Sequence, residues 1–195
     1  MAARLMLIAH AATSATRRAA FPTHESIERP GDLRPVNVRA VRCLSGPEVR
    51  SRETAALLGW EPEPVGGFAD LDAGRWAGAD LGELMATEPE SVIAWMTDAT
   101  AAPHGGESLQ DLVTRVGGAL DSDALGGRPW PDGLSVVVAA PLVIRAAIVH
   151  LLGAPSSLLF GVDIEPLSAT HVTGHAGRWK LRALLPWGRW DGPDS

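Results

Sequence analysis

Cysteine, lysine and long apolar runs are all scarce in this 195-residue sequence. Cys43 is the only cysteine, so no internal disulfide can form and the oxidising compartments are disfavoured. Its apolar neighbours suit a strand thiol in the core better than a nucleophile. Lys180 is the only lysine among 17 basic residues, and with abundant alanine, glycine and proline this points to a coding bias toward arginine. A single arginine is therefore weak evidence of function. Basic charge as a whole is short, since 23 acidic residues leave a net charge of −6. That balance argues against a nucleic-acid binder or a protein held to acidic membranes, both of which need excess Lys and Arg. The longest apolar stretch, 136–153, is broken by Pro141, Arg145 and His150 and does not read as a membrane span. The early run Leu5-Met6-Leu7-Ile8-Ala9 is too short for a signal-peptide core, which leaves a cytoplasmic protein as the expectation.

What is present is the composition of a soluble globular protein, 46% apolar and 21% charged. The length suits one domain over 1–195, with 191–195 as a Gly/Pro/Asp tail. Residues 5–9 form a continuous apolar run, the pattern of a strand covered on both faces, and the run ends at His10. A second strand is expected at 38–44, ahead of Ser45-Gly46-Pro47 and a helix that continues to Leu58 with Gly59 as its stop. A short strand follows at 64–68, then a loop over 70–80. Helical patterns occupy 81–85, 88–98 and 107–120, with a loop at 101–106. Residues 134–140 are the clearest buried strand, 142–152 the helix after it, and two closing strands fall at 167–173 and 178–184. This order implies a three-layer α/β/α sandwich with a largely parallel sheet and a helical insertion. Ligands bind at the carboxyl ends of the strands in such sheets, and polar residues follow three of these strands: His10, the segment 45–50, and the segment 140–145.

Those three segments carry motifs. Leu7-Ile8-Ala9-His10-Ala11-Ala12-Thr13 resembles the Leu-x-Arg-His-Gly-x-Thr hallmark of the histidine phosphatase (phosphoglycerate mutase-like) superfamily, with alanine at the arginine and glycine positions. Gly46-Pro47-Glu48-Val49-Arg50-Ser51-Arg52-Glu53-Thr54-Ala55 resembles its second motif, with Pro, Arg, Thr and Ala in register. Asp70-Leu71-Asp72-Ala73-Gly74-Arg75-Trp76-Ala77-Gly78 resembles the third, and Pro103-His104-Gly105-Gly106-Glu107-Ser108 the fourth with one added residue. The fifth, which carries the family's second catalytic histidine, is matched by Val138-Ala139-Ala140-Pro141-Leu142-Val143-Ile144-Arg145, with Ala140 in the histidine's place. Five motifs in order make the fold resemblance specific, and the α-ribazole phosphatase-like branch is the one resembled most.

The resemblance implies a nucleophile, His10, a phosphate clamp, Arg50, assisted by Thr13, and an acid for the leaving group, Asp70, with Asp72 a weaker candidate. Ala9 and Ala140 stand where two further phosphate ligands would be. A transferring phosphoryl group needs fixed positive donors, and each lost donor typically costs about 3–4 kcal/mol of transition-state stabilisation. Substitutes are sought in Arg17 and Arg18, expected in the loop after His10, and in His104. Glu107 and Trp76 are candidates for the pocket border, as are Trp95 and Trp130. Arg145 matches an arginine whose expected role is structural. Trp187 and Trp190 should dock on the domain or meet a second subunit, which leaves a homodimer open. His171 and His175, on a strand-like segment, are not expected to bind metal, and no cofactor is implied.

Three functions follow: a weak phosphomonoesterase acting on a small phosphorylated metabolite through His10; a non-catalytic binder of a small anion or metabolite, or an assembly partner; or an enzyme of another reaction class in the same cleft. The motif alignment requires His10, Arg50 and Ala140 to come within one cleft at the carboxyl edge of the sheet.

Overall fold

The computed structural model describes residues 3–28, 31, 35–121, 130–175 and 178–189. A six-stranded sheet is built from β1 (Ala3–Ala9), β2 (Arg42–Ser45), β3 (Glu63–Pro64), β4 (Gly133–Ala139), β5 (Ala169–His175) and β6 (Arg178–Leu185), in the order β3-β2-β4-β1-β5-β6. β1, β2, β3 and β4 run parallel, whereas the closing strands β5 and β6 are antiparallel additions at one side. The helices are α1 (Ser14–Arg18), α2 (Val49–Leu57), α3 (Leu81–Thr87), α4 (Pro89–Thr97), α5 (Leu109–Asp121) and α6 (Pro141–Leu152).

Alternation along β1 sorts the core into two layers. Leu5, Leu7 and Ala9 join α5, α6 and Trp95 of α4, while Met6 and Ile8 join Ala55 and Leu58 of the α2 segment. A strand whose two faces are both covered must be apolar throughout, and the run 5–9 is. Trp187 packs against the second of these layers. Trp190 and the tail 191–195 lie outside the described residues.

Register brings the site together. Ala9 pairs with Ala139, so β1 and β4 end level, and the His10 N–H donates to the Ala139 carbonyl at 3.0 Å. Ser45 pairs with Val138, and the Gly46 N–H donates to the Val138 carbonyl at 2.9 Å, which starts α2 at the same edge. Pro47 and Pro141 lie at the two strand-to-helix turns; Pro141 is the first residue of α6, where its missing N–H costs nothing.

Several boundaries differ from expectation. β2 begins at Arg42 rather than 38, because the chain joins β4 only when the Val41 N–H reaches the Leu134 carbonyl. The strand expected at 64–68 is reduced to Glu63–Pro64, and 66–68 curls into a 3-10 turn. Arg17 and Arg18, expected in a loop, lie on α1, which Thr13 and Thr16 start with reciprocal side-chain caps.

Two glycine-bearing loops pack backbone to backbone below the site: the Arg75 N–H donates to the His104 carbonyl at 3.0 Å and the Glu107 N–H to the Asp72 carbonyl at 2.8 Å. A Cβ at Gly106 would lie 2.0 Å from the Asp72 carbonyl oxygen, whereas one at Gly118, exposed on α5, would meet nothing within 4 Å. We expect Gly106→Ala to destabilise by about 1–3 kcal/mol and Gly118→Ala to stabilise by up to about 1 kcal/mol; urea denaturation of the two variants checks both signs.

Candidate active site

His10 leaves the end of β1 with its ring 2% exposed. Nδ1 lies 2.8 Å from the Ala11 carbonyl oxygen, which can only accept, so Nδ1 carries the proton. A neutral ring then presents an unprotonated Nε2, the atom a nucleophile requires. Burial, and after it the Arg50 guanidinium, lower the His10 pKa below its ordinary value, against the opposing influence of the Ala11 carbonyl, Asp70 and Glu25.

Arg50 stands in the first turn of α2, equally buried. Its Nη2 donates to Asp70 Oδ2 at 2.7 Å and its Nη1 to the Thr23 carbonyl at 2.8 Å. Asp70 Oδ1 accepts the Leu71 N–H at 2.8 Å, so both carboxylate oxygens are occupied. Thr54 fastens α2 to the loop after His10, donating to the Arg50 carbonyl and accepting the Ala11 N–H. Glu48, at the N-cap of α2, takes the Asp70 N–H. These ties hold His10, Arg50 and Asp70 in one cluster, as the motif order requires.

A second carboxylate belongs to this cluster and was not found from the sequence. Glu25 accepts from the Thr13 hydroxyl at 3.2 Å and from the Thr23 N–H and hydroxyl at 2.8 and 3.1 Å. Burial works to raise its pKa, but the Thr23 hydrogen bonds and the Arg50 charge hold it below the usual carboxylate value. Nothing in the spacing of Thr23-His24-Glu25 signals this; the only clue is the short Thr-x-Glu turn.

Other candidates lie elsewhere. Thr13 is buried but caps α1 and donates to Glu25. Arg17 is exposed and paired with Glu28, and Arg18 reaches back to the Ser14 carbonyl. His104 is buried against Trp76 at 5.0 Å between ring centroids, with Nδ1 accepting the Gly106 N–H. Asp72 accepts the Gly74 N–H. Glu107 is held by Arg115, whose Nη1 and Nη2 also tie down the carbonyls of Gly67, Ala69 and Asp70. Arg115 is thus a support for the loop that carries Asp70, unmarked by any motif. Trp76 is a core residue, and Trp130 donates to the Leu120 carbonyl. Ala9 and Ala140 are 0% and 1% exposed within the larger core layer. Burial pushes the Cys43 thiol up to about 12, consistent with an inert strand thiol. His171 lies on β5, and the side chain of His175 lies outside the described residues. Among the described residues no three His, Cys, Asp or Glu side chains cluster to hold a metal ion.

A cavity of about 260 Å³ opens beside His10 and Asp70. Its wall is otherwise mainly apolar, with Phe21, Trp95, Leu142 and Phe160 prominent, and Arg145 at its α6 side. Of the tryptophans considered, Trp95 is the one that lines it. Trp95 meets Phe21 and Phe160 edge-on at 5.4 and 5.3 Å.

The chain belongs to the histidine phosphatase superfamily (branch 1), whose profile matches residues 28–185. It is 38% identical over 118 residues to a glucosyl-3-phosphoglycerate phosphatase of Mycobacterium tuberculosis, covering 54% of this chain and 52% of that one. The chain thus spans about half the length of the curated relatives it matches. A mycobacterial glucosyl-3-phosphoglycerate phosphatase solved with VO3 superposes with a TM-score of 0.75 at 25% identity, covering 97% of this chain and 99% of that one. The α-ribazole phosphatase of Shigella flexneri shares the fold, with a TM-score of 0.77 at 20% identity over 94% of this chain and 96% of that one. No helix among the described residues is long and apolar enough to cross a membrane.

The depressed His10 pKa has a consequence for stability. Below about pH 6.5 an unfolded histidine takes up a proton that the folded ring resists, so stability falls as pH drops from there toward the lower folded value. His104 and His171, also lowered by burial, act in the same sense. We expect His10→Gln to flatten the acid-side loss by at most about 1.4 kcal/mol per pH unit, read from urea denaturation at pH 7.5 and 5.5.

Proposed function

We propose that this chain is a histidine phosphatase-family protein with degenerate catalytic motifs, hydrolysing small phosphorylated metabolites weakly at most, through a phosphohistidine at His10. In that reaction Nε2 of His10 attacks phosphorus, the ester P–O bond breaks, an acid protonates the leaving oxygen, and water then cleaves the P–N bond. The Nδ1 hydrogen bond to Ala11, which frees Nε2, favours the first step. Placement in the α-ribazole phosphatase-like branch is part of the same reading.

One observation carries the weakness: the one guanidinium of the cluster is already used. Arg50 gives one terminal nitrogen to Asp70 and the other to the Thr23 carbonyl. With Ala9 and Ala140 supplying no donor, both terminal nitrogens of Arg50 engaged and Glu25 adding a further negative charge, a phosphate dianion would find few free positive donors around His10. Asp70 is also poorly set to deliver a proton, because each of its oxygens is accepting a hydrogen bond. A second reading, a binder of a small molecule without phosphoryl transfer, is favoured by the apolar wall of the cavity.

Repair of the charge tests the first reading. Ala9→Arg with Ala140→His should raise kcat/KM for an aryl phosphate more than either change alone, since groups around the same oxygens act together. Both positions are fully buried, so thermal melts must accompany the kinetics. His10→Ala in the repaired protein should abolish the gain. Glu25→Gln alone should raise kcat/KM several-fold by removing a competing charge. Wild-type turnover in the ordinary enzyme range, roughly 1–1000 per second, would contradict the proposal.

A further inference from the structure

We infer that the cavity beside His10 binds an organic acid that has an aromatic or branched apolar body and a single carboxylate, with the carboxylate meeting Arg145. This rests on the reading that the cleft has lost its affinity for a phosphate dianion, and it names what the remodelled cleft takes instead.

The charges around the cavity point to this class. His10 is biased toward its neutral form by burial, and Asp70 is matched by Arg50 and by the Leu71 N–H. Arg145 differs. Its Nη2 reaches Asp163 at a long 3.4 Å, that carboxylate is 88% exposed, and its own Nε is buried with no hydrogen-bond partner. A guanidinium held so loosely, to a water-screened partner, can exchange that partner for a bidentate ligand carboxylate. α6 begins at Pro141 with no side-chain cap, and Pro141 and Leu142 line the cavity, so the helix's positive end adds to the field there.

The rest of the wall selects the body. Phe21, Trp95 and Phe160 form a continuous edge-to-face set, and Leu142 and Ala15 complete an apolar surround. An apolar cavity of about 150 Å³ holds a benzene molecule; the 260 Å³ here leaves room for a ring and a short chain ending in a charge. A sugar phosphate would place hydroxyls against this wall without partners, which is costly. A single negative charge suits one loosely paired guanidinium, whereas a second would face Asp70.

The test is a titration of the wild-type protein, followed by tryptophan fluorescence and calorimetry, with 3-phenylpropanoate, its amide, 3-phenylpropylamine and phenyl phosphate. The acid should bind at least about tenfold more tightly than the amide, and the amine and the phosphate ester should bind more weakly than the acid. Asp163→Asn, a change at an exposed position, should tighten the acid several-fold and leave the amide unaffected. Arg145→Gln should erase the acid's advantage and Arg145→Lys should restore part of it, with thermal melts confirming the fold. Equal binding of acid and amide, preference for the amine, or insensitivity to Asp163→Asn would overturn this inference. Rapid hydrolysis of phenyl phosphate by the wild-type protein would instead overturn the weak-phosphatase reading, whichever of these ligands binds.

Discussion

The ion pair between Arg50 and Asp70 organises this site. It joins α2 to the loop that follows β3, with the guanidinium 2% and the carboxylate 14% exposed. Charges so far from water persist only when each has a close partner, and removing one partner of such a pair typically costs about 3–5 kcal/mol. The arrangement around it follows from that constraint. The Thr23 carbonyl takes the second terminal nitrogen of Arg50, Glu48 steadies the Asp70 backbone, and Arg115 binds the carbonyls on either side of the turn. With both terminal nitrogens engaged inside the cluster, Arg50 has little left to offer an incoming dianion.

The same cluster has an apolar neighbour. A nucleophile-bearing cleft for phosphate transfer needs fixed positive charge at close range, yet the cavity beside His10 is walled largely by aromatic and aliphatic side chains. Desolvation lowers the His10 pKa more than any other influence on it. An apolar wall and an ion pair whose two partners satisfy each other therefore lie side by side at His10. Ala9 and Ala140, both sealed in the core, offer no polar group to that cavity.

β1 and β4 were legible because both strands are covered on both faces, which writes apolar runs at 5–9 and 136–139. The edge strand β3 and the antiparallel closure carried weaker patterns, and their ends moved. At the site, His10, Arg50 and Asp70 were legible because local turns fix them: strand end, helix start, loop. Glu25, Arg115 and the cavity residues Phe21 and Phe160 were not, since each reaches the site through tertiary packing that no local spacing encodes. Arg17 and Arg18, weighed as substitutes but favoured as solvated residues, are exposed as favoured, though on α1, which Thr13 caps, rather than in a loop. The profile match begins at residue 28, beyond the first motif.

The central claim, that Asp70 and the Thr23 carbonyl pre-empt the anion-binding capacity of Arg50, is tested most directly by calorimetric titration of orthovanadate into the wild-type protein and into Asp70→Asn. Vanadate resembles the phosphoryl group in transfer and would engage His10 and Arg50 together. The account predicts no saturable binding to the wild-type protein below about 1 mM, and measurable binding once the carboxylate charge is removed. Micromolar binding of vanadate to the wild-type protein, undiminished or weakened in Asp70→Asn, would contradict it.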